Sequence, residues 1–301
     1  MIKKKKPLVS ICIPTYNGVE FLSEAVESAL NQTYSNVEIV VSDDNSKDKT
    51  LDVIRNYKRT RKIPIKILNH TPIGIGANWN NCIKHAKGKY IKFLFQDDIL
   101  ESHCITNMVG LAEQIENLGL VYCKRVILYD DANNFDRRWV SNFSILHKSW
   151  DGLKIKQGTL SGREYIKDKN LLLHPVNKIG EPTAVLIRKK CFDKVGYFSE
   201  RLDQALDIEF WYRLMPHYNI GFIDEPLVNF RLHSNQASQI NAKKNLKDKE
   251  SKILDGIIMR RYFWYLHFSV RLNLLKSFLY FDKIQRFFKK AKAKLMSSTN
   301  G

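Results

Sequence analysis

The sequence predicts an α/β domain: a mostly parallel central sheet flanked by helices, followed by a basic helical C-terminal segment. Three observations predict it. Short β-branched runs alternate with segments of helical periodicity through the first third of the chain. Those runs are largely apolar, as strands covered by helices on both faces are. Three of them end in polar clusters, and ligands bind at the carboxyl ends of parallel strands.

The elements follow in order. LVSICIP (8–14) is a β-run stopped by Pro14. VEFLSEAVESALNQ (19–32) places Phe21/Leu22, Ala25/Val26 and Ala29/Leu30 on one helix face. VEIVVSDD (37–44) is a second β-run closed by carboxylates, and TLDVIRNYK (50–58) is helical. IPIKILN (63–69) reads as a strand, ANWNNCIKHAKG (77–88) as a helix ending at Gly88, and YIKFLF (90–95) as the next strand. YDDANNFDRRW (129–139) is polar and reads as a surface loop. GEPTAVLIRKKCFDKVGYF (180–198) reads as a buried strand running into a short helix, and from about 236 the pattern is helical and basic. The expected division is 1–235, with halves at 7–104 and 105–235, then a tail over 236–301.

Composition sets bounds on this reading. The chain has 301 residues, 44% of them hydrophobic, with 8 Pro and 14 Gly, which excludes disordered and collagen-like classes. Five scattered cysteines with no CxxC indicate free thiols rather than disulfides or a zinc site. MIKKKKPLVS lacks an apolar continuation long enough for a signal peptide, so a cytoplasmic chain is expected. No apolar window of the length a membrane span needs is present. The net charge is +18, and residues 236–301 hold 15 Lys/Arg against 4 Asp/Glu. In the same segment Tyr262, Phe263, Leu266, Val270, Leu274, Phe281, Ile284 and Phe287 share one helical face, with Arg260, Arg271, Arg286 and Lys289 roughly opposite. That pattern fits a helix at an anionic membrane surface, or one docked on the domain or a second subunit. With no nucleic-acid-binding motif beside the charge, a nucleic-acid partner is not expected.

Four strings occur in series: SICIPTYNG, VVSDDNSKDKT, GKYIKFLFQDD and LDIEFWYRL. Together they resemble the family 2 glycosyltransferases of the GT-A fold, over about residues 7–235. The resemblance implies an inverting transfer of a sugar from a nucleotide-diphosphate donor, a UDP-sugar above all. It also implies a saccharide or lipid-linked acceptor in cell-surface polysaccharide or glycolipid synthesis; with a lipid-linked acceptor, attachment of the basic tail to the inner face of the membrane would be useful. Pro14, Thr15 and Tyr16 match the segment that wraps the uridine. Asp44 matches the carboxylate that accepts a hydrogen bond from the base, a role suited to an acceptor-only group. The alternative for its neighbours is capping of the helix near Thr50, assigned to Ser46 or Asp48.

Asp97 and Asp98 end the fourth strand. Hard cations such as Mn²⁺ or Mg²⁺ take one or two carboxylates, with phosphate and water completing the shell. The resemblance implies Asp98 as the metal contact and Asp97 as a donor contact, against helix capping as the plain alternative. The chain departs from the family in two places. Many members read Leu-Asp-x-Asp-Asp where this one has Leu94-Phe95-Gln96-Asp97-Asp98, and Trp79 stands where many have Arg. Asn78 and Asn80 remain polar candidates beside it. Asp207 matches the base that deprotonates the acceptor hydroxyl. Glu209 is its rival, roughly 200° round the same helix, with an ion pair to Arg213 as its ordinary role. Arg231 and His233, two apart and so on one side of an extended strand, match a segment that approaches the diphosphate or metal. Two other classes share parts of this pattern: a catalytically silent scaffold of the same fold, and a nucleotidyltransferase, which would want a Gly-rich basic loop that PTYNG is not.

Overall fold

The computed structural model describes residues 6–236, 241 and 246–278. The first third forms as its periodicity dictates: β1 (Val9–Thr15), α1 (Val19–Leu30), β2 (Val37–Asp43), α2 (Thr50–Thr60), β3 (Ile65–Asn69), α3 (Ile75–His85) and β4 (Tyr90–Phe93). All seven residues of β1 are buried, the mark of a central strand covered on both faces. Then come β5 (Ile99–Leu100), α4 (Cys104–Ala112), β6 (Leu118–Leu128), α5 (Asn134–Phe143), β7 (Gly158–Ser161), α6 (Gly162–Ile166), β8 (Val185–Arg188), α7 (Lys190–Val195), α8 (Leu206–Leu214), β9 (Asn219–Arg231) and α9 (Leu246–Arg261).

The sheet runs β3-β2-β1-β4-β8-β6-β9-β5, with β7 against β9. The first four strands are parallel, as expected. Beyond β4 the sheet is mixed: β8 is antiparallel to both neighbours, whereas β6 and β9 pair in parallel. The expectation of a mostly parallel sheet therefore holds for its first half. β8 enters from a 3₁₀ turn at Pro182–Ala184 and so runs against β4. The sheet separates two buried clusters, one centred on α1, α4 and the inner faces of β1 and β2, the other on α3, α7 and α8.

One expectation is corrected. The polar stretch 129–139 is not all loop: α5 starts at Asn134, and Asn133 caps it by accepting from the Phe135 and Asp136 amides. Trp139 lies on that helix, stacked on Phe230 at 5.7 Å. The described part of the C-terminal segment follows the alternative of a helix docked on the domain. Leu254, Ile258, Tyr262, Leu266, Val270 and Leu274 are buried in the same cluster as Phe210 and Trp211. Phe281, Ile284, Arg286, Phe287 and Lys289 lie outside the described residues. Among the described residues no helix is long and apolar enough to cross a membrane.

Candidate functional site

The loops after β1 and β2 are stitched together. Asn17 and Asn45 take left-handed backbone (φ 46° and 59°), which asparagine tolerates better than bulkier residues. That geometry lets the Asn17 amide donate to Ser46 Oγ (2.9 Å) and the Lys47 amide to Asn17 Oδ1 (2.7 Å). Gly18 N donates to Thr50 Oγ1 (2.9 Å), and Asp48 accepts from both Val19 N (3.1 Å) and Thr50 N (3.0 Å). Asp48 thus serves the start of α2, while Ser46 donates to Asp43 (2.6 Å). Asp43 is fully enclosed and also accepts from Thr15 Oγ1 (2.8 Å). Asp44, one residue on, turns to a cavity, with His70 Nδ1 at 2.5 Å from its Oδ1. Burial raises its pKa, and the hydrogen bond from His70 opposes that rise.

The end of β4 brings a second set. Gln96 accepts from Tyr16 N (2.9 Å) and donates to Tyr16 O (3.1 Å), fixing the first loop from across the sheet. Its amide lies where a Cβ on residue 18 would stand, so a side chain there would push Gln96 off Tyr16. Phe95 and Trp79, the two departures from the family pattern, stack on each other at 5.0 Å between ring centroids. Both line the cavity, and Trp79 also meets Phe93 and Phe198.

The two aspartates divide. Asp98, expected to be the metal contact, is 0% exposed and off the cavity wall. Its oxygens accept from Thr183 Oγ1 (2.7 Å) and the Arg231 amide (3.0 Å), and burial beside Asp97 raises its pKa well above the usual range. It is a buried post joining the β4 loop to β9. Asp97 is the one on the wall, its Oδ2 2.9 Å from His233 Nε2. Arg231 is also off the wall: its guanidinium bonds Glu24 (2.7 Å) and the Asp97 carbonyl (3.0 Å) and lies over the Phe21 ring. Its side chain supports the loop instead of facing a ligand, because β9 carries it toward α1.

Asp207 sits in the first turn of α8, on the wall of the same cavity. Burial pushes its pKa up to about 7, with the negative charge of Glu181 adding to the rise. Ile208 N (2.7 Å) and Asn177 Nδ2 (2.8 Å) donate to it and work the other way. Asn177 is itself held by Gly180, whose amide donates to Asn177 Oδ1 (2.9 Å). Glu209 points away and pairs with Arg213 (2.8 Å), its ordinary role. Behind Asp207, Glu250 of α9 accepts from the amides of Asp203 (2.8 Å), Gln204 (3.0 Å) and Ala205 (2.9 Å).

One cavity of about 640 Å³ therefore collects Pro14, Thr15, Tyr16, Asp44, Asp97, His233 and Asp207, and leaves out Asp98 and Arg231. Of the two asparagines, Asn78 lines it with Oδ1 unpartnered, whereas Asn80 exchanges hydrogen bonds with the Phe198 backbone. His70, Asn177, Glu181 and Glu250 were not found from sequence. His70 and Glu250 lie far along the chain from the carboxylate or loop they hold, so only the fold joins them. Asn177 stands just ahead of the GEPT turn, the one local signal available.

Among the described residues no group of three or more His, Cys, Asp or Glu side chains is placed to hold a metal ion. The Asp97–His233 pair puts a carboxylate and an imidazole on the wall; Asp97 offers the oxygen a hard cation takes, with phosphate and water left to complete its shell.

The sequence matches Glycosyl transferase family 2 over residues 10–196. An uncharacterised glycosyltransferase of Rickettsia prowazekii is 29% identical over 256 residues, spanning 84% of this chain and 72% of that protein. The Escherichia coli UDP-Glc:alpha-D-GlcNAc-diphosphoundecaprenol beta-1,3-glucosyltransferase WfaP is 43% identical over 106 residues, 35% of this chain and 41% of that protein. Among solved structures, S. aureus TarS 1-349 with UDP-GlcNAc superposes with a TM-score of 0.57 at 18% identity, over 90% of this chain and 73% of that one. The mannosyltransferase PcManGT of Pyrobaculum calidifontis, with GDP-Man and Mn²⁺, gives 0.58 at 18% identity, over 85% and 65%. These likenesses establish the GT-A fold. The chain spans 42% of the longer TarS structure.

Proposed function

The chain belongs to glycosyltransferase family 2, and on that premise we propose that it transfers a sugar, with inversion, from a UDP-sugar to a saccharide or lipid-linked acceptor. The observation that carries this reading is the single cavity in which Asp44 and the β1 loop lie with Asp97, His233 and Asp207. Asp44, oriented by His70, accepts from the base N–H; Thr15, Tyr16 and Asn78 surround the nucleoside. The E. coli relative's UDP-glucose donor and the UDP-GlcNAc held by TarS support this choice of nucleotide.

Asp207 takes the proton from the acceptor hydroxyl as that oxygen bonds the anomeric carbon; the bond from that carbon to the diphosphate breaks on the opposite face. A pKa of about 7 suits this, because a base is most effective when its pKa lies near the working pH. Asp97 and His233 would hold a Mn²⁺ or Mg²⁺ ion, and when bound such an ion supplies charge neutralisation to the departing diphosphate. The Mn²⁺ bound by the mannosyltransferase neighbour supports the choice of a divalent cation.

The test is a thermal-shift screen of UDP-, GDP- and dTDP-sugars with and without Mn²⁺, followed by donor hydrolysis. A UDP-sugar is expected to raise the melting temperature only with the metal, and Asp97→Ala to abolish that metal-dependent gain. Stabilisation by a dTDP- or GDP-sugar alone would overturn the UDP assignment. Indifference to metal would overturn the role given to Asp97 and His233.

A further inference from the structure

A second pocket, of about 320 Å³, lies beside the main cavity with Arg125 on the wall of both. Lys124, His147 and Lys148 line it with Arg125, and Ile145 gives it an apolar edge. The charge in it is unbalanced. Arg125 is answered by Glu181 (2.8 Å). Lys124 is paired with Asp224 (2.8 Å), and that one carboxylate also feels the charges of His147 and Lys148. The His147 ring is stacked on Phe222 (5.3 Å), and its pKa is lowered by burial and then by the surrounding cations, Lys124 first. An anion entering here would meet His147 held by Phe222 and Lys124 held by Asp224, with the exposed Lys148 beside them.

The pocket's place in the fold says which anion. Arg125 bonds Glu181, and Glu181 is near enough to Asp207 to help raise its pKa. From the base the wall thus runs through Glu181 and Arg125 to the basic pocket. Flanking Arg125 in the main cavity are Phe135, Trp139, Phe143 and Phe230, and the guanidinium lies 5.8 Å from the Trp139 and Phe230 rings. Phe135 and Ile145 are each 50% exposed, which leaves an apolar strip open to the outside next to a cationic pocket. A neutral free saccharide carries no charge to answer the cationic pocket.

We propose that the pocket of Lys124, His147 and Lys148 binds the phosphate of the acceptor, and that Phe135, Phe143 and Ile145 receive a hydrocarbon chain attached to that phosphate. The acceptor is then an amphiphile: a sugar at Asp207, a phosphate or diphosphate at the basic pocket, and a hydrocarbon chain beyond. This assignment rests on the proposed transferase reading, since it places the acceptor hydroxyl at Asp207.

The probes are farnesyl diphosphate, inorganic pyrophosphate and farnesol, titrated calorimetrically into the full chain with the donor wall saturated by UDP and Mn²⁺. Farnesyl diphosphate is expected to bind more tightly than pyrophosphate, and farnesol more weakly than either. The double variant Lys124→Gln/Lys148→Gln is expected to weaken farnesyl diphosphate roughly tenfold, the loss of charge-assisted contacts to an anion, with its melting temperature and UDP binding unchanged. Asp224→Asn is expected to tighten the same probe severalfold by removing the competing carboxylate. The proposal is overturned if the double variant binds farnesyl diphosphate as the wild type does. It is equally overturned if pyrophosphate matches farnesyl diphosphate, which would leave the apolar strip without a role. Failure of the transferase reading would show differently, as absence of UDP binding and of donor hydrolysis in the wild type.

Discussion

Asp207 shows how burial and the hydrogen bonds that oppose it, from Ile208 N and Asn177, set a working pKa. Its carboxyl is raised to about 7 by burial, while Asn177 pulls the other way. Activity is therefore expected to climb as pH rises through about 7, and Asn177→Ala to move that midpoint upward; a pH–rate profile of the two proteins checks it. The stability sign follows from the same shift. A carboxyl whose folded pKa exceeds its unfolded value stabilises the fold below the unfolded pKa, and that contribution is lost as pH rises through about 7. Asp207→Asn should thus melt higher than the wild type at pH 8 while losing roughly 10²–10⁴ of its turnover. Equal melting temperatures at pH 8 would contradict the burial argument. The Asp97–Asp98 pair shows where residue-level reading stopped. Sequence placed two carboxylates at a strand end, but which one faces the ligand depends on Thr183 and Arg231, which are 85 and 133 residues away. Asp98→Ala is expected to destabilise the fold by about 2–4 kcal/mol, having stripped two buried donors of their acceptor. Asp97→Ala should leave the melting temperature of the unliganded protein unchanged. Thermal denaturation of the two variants separates these roles.

At the level of elements, the first third was legible because its strands and helices alternate and each carries its own periodicity. β1 to β4 and α1 to α3 fall within a few residues of their expected positions. α5 was not legible: its charged, asparagine-rich sequence hides a helix whose Trp139 packs on Phe143 of its own last turn and on Phe230 of the distant β9. The parallel pairing of β6 with β9 was equally hidden, since it is a contact between distant segments. α9 is the most informative case. Its composition reads as basic tail, yet Glu250 gathers the three amides that lead into α8 and so sets where Asp207 stands. Glu250→Ala should lower kcat by roughly tenfold to a hundredfold, the scale of a small misplacement of a catalytic group. Donor affinity should hold, because the β1 and β2 loops carry no bond to α9 among those described. Glu250→Gln, which keeps an acceptor for one or two of the amides, should recover part of the loss. Steady-state kinetics with donor binding measured separately decides it: a fall in donor affinity equal to the fall in kcat would mean α9 supports the whole cavity instead of Asp207.

For the whole molecule, the charge and the apolar surface at the C-terminal end point the same way. The amphipathic face expected to meet a membrane is in part a packing face, since Tyr262, Leu266, Val270 and Leu274 are buried on the domain. The opposite side of the same stretch is exposed: Trp264 is 81% and Phe268 62% exposed, with Leu272 and Leu275 following at helical spacing. Arg271 lies against the Phe263, Trp264 and Phe268 rings, so cation and aromatic surface are interleaved. An aromatic belt with arginine among it is the chemistry of a bilayer interface with anionic headgroups. It also suits an acceptor whose lipid stays in the membrane while its sugar reaches Asp207. The full chain is therefore expected to co-sediment with vesicles of 7:3 phosphatidylcholine and phosphatidylglycerol, and much less with phosphatidylcholine alone. Each aromatic ring withdrawn from water contributes about 1.5–3 kcal/mol, so Trp264→Ser/Phe268→Ser should reduce partitioning at least tenfold. Raising the salt should weaken what remains, as screening removes the attraction to the headgroups. If the double variant partitions as the wild type does, the exposed rings are not the contact. The basic residues beyond them would then be tested next, by charge reversal at Lys289 and Lys290.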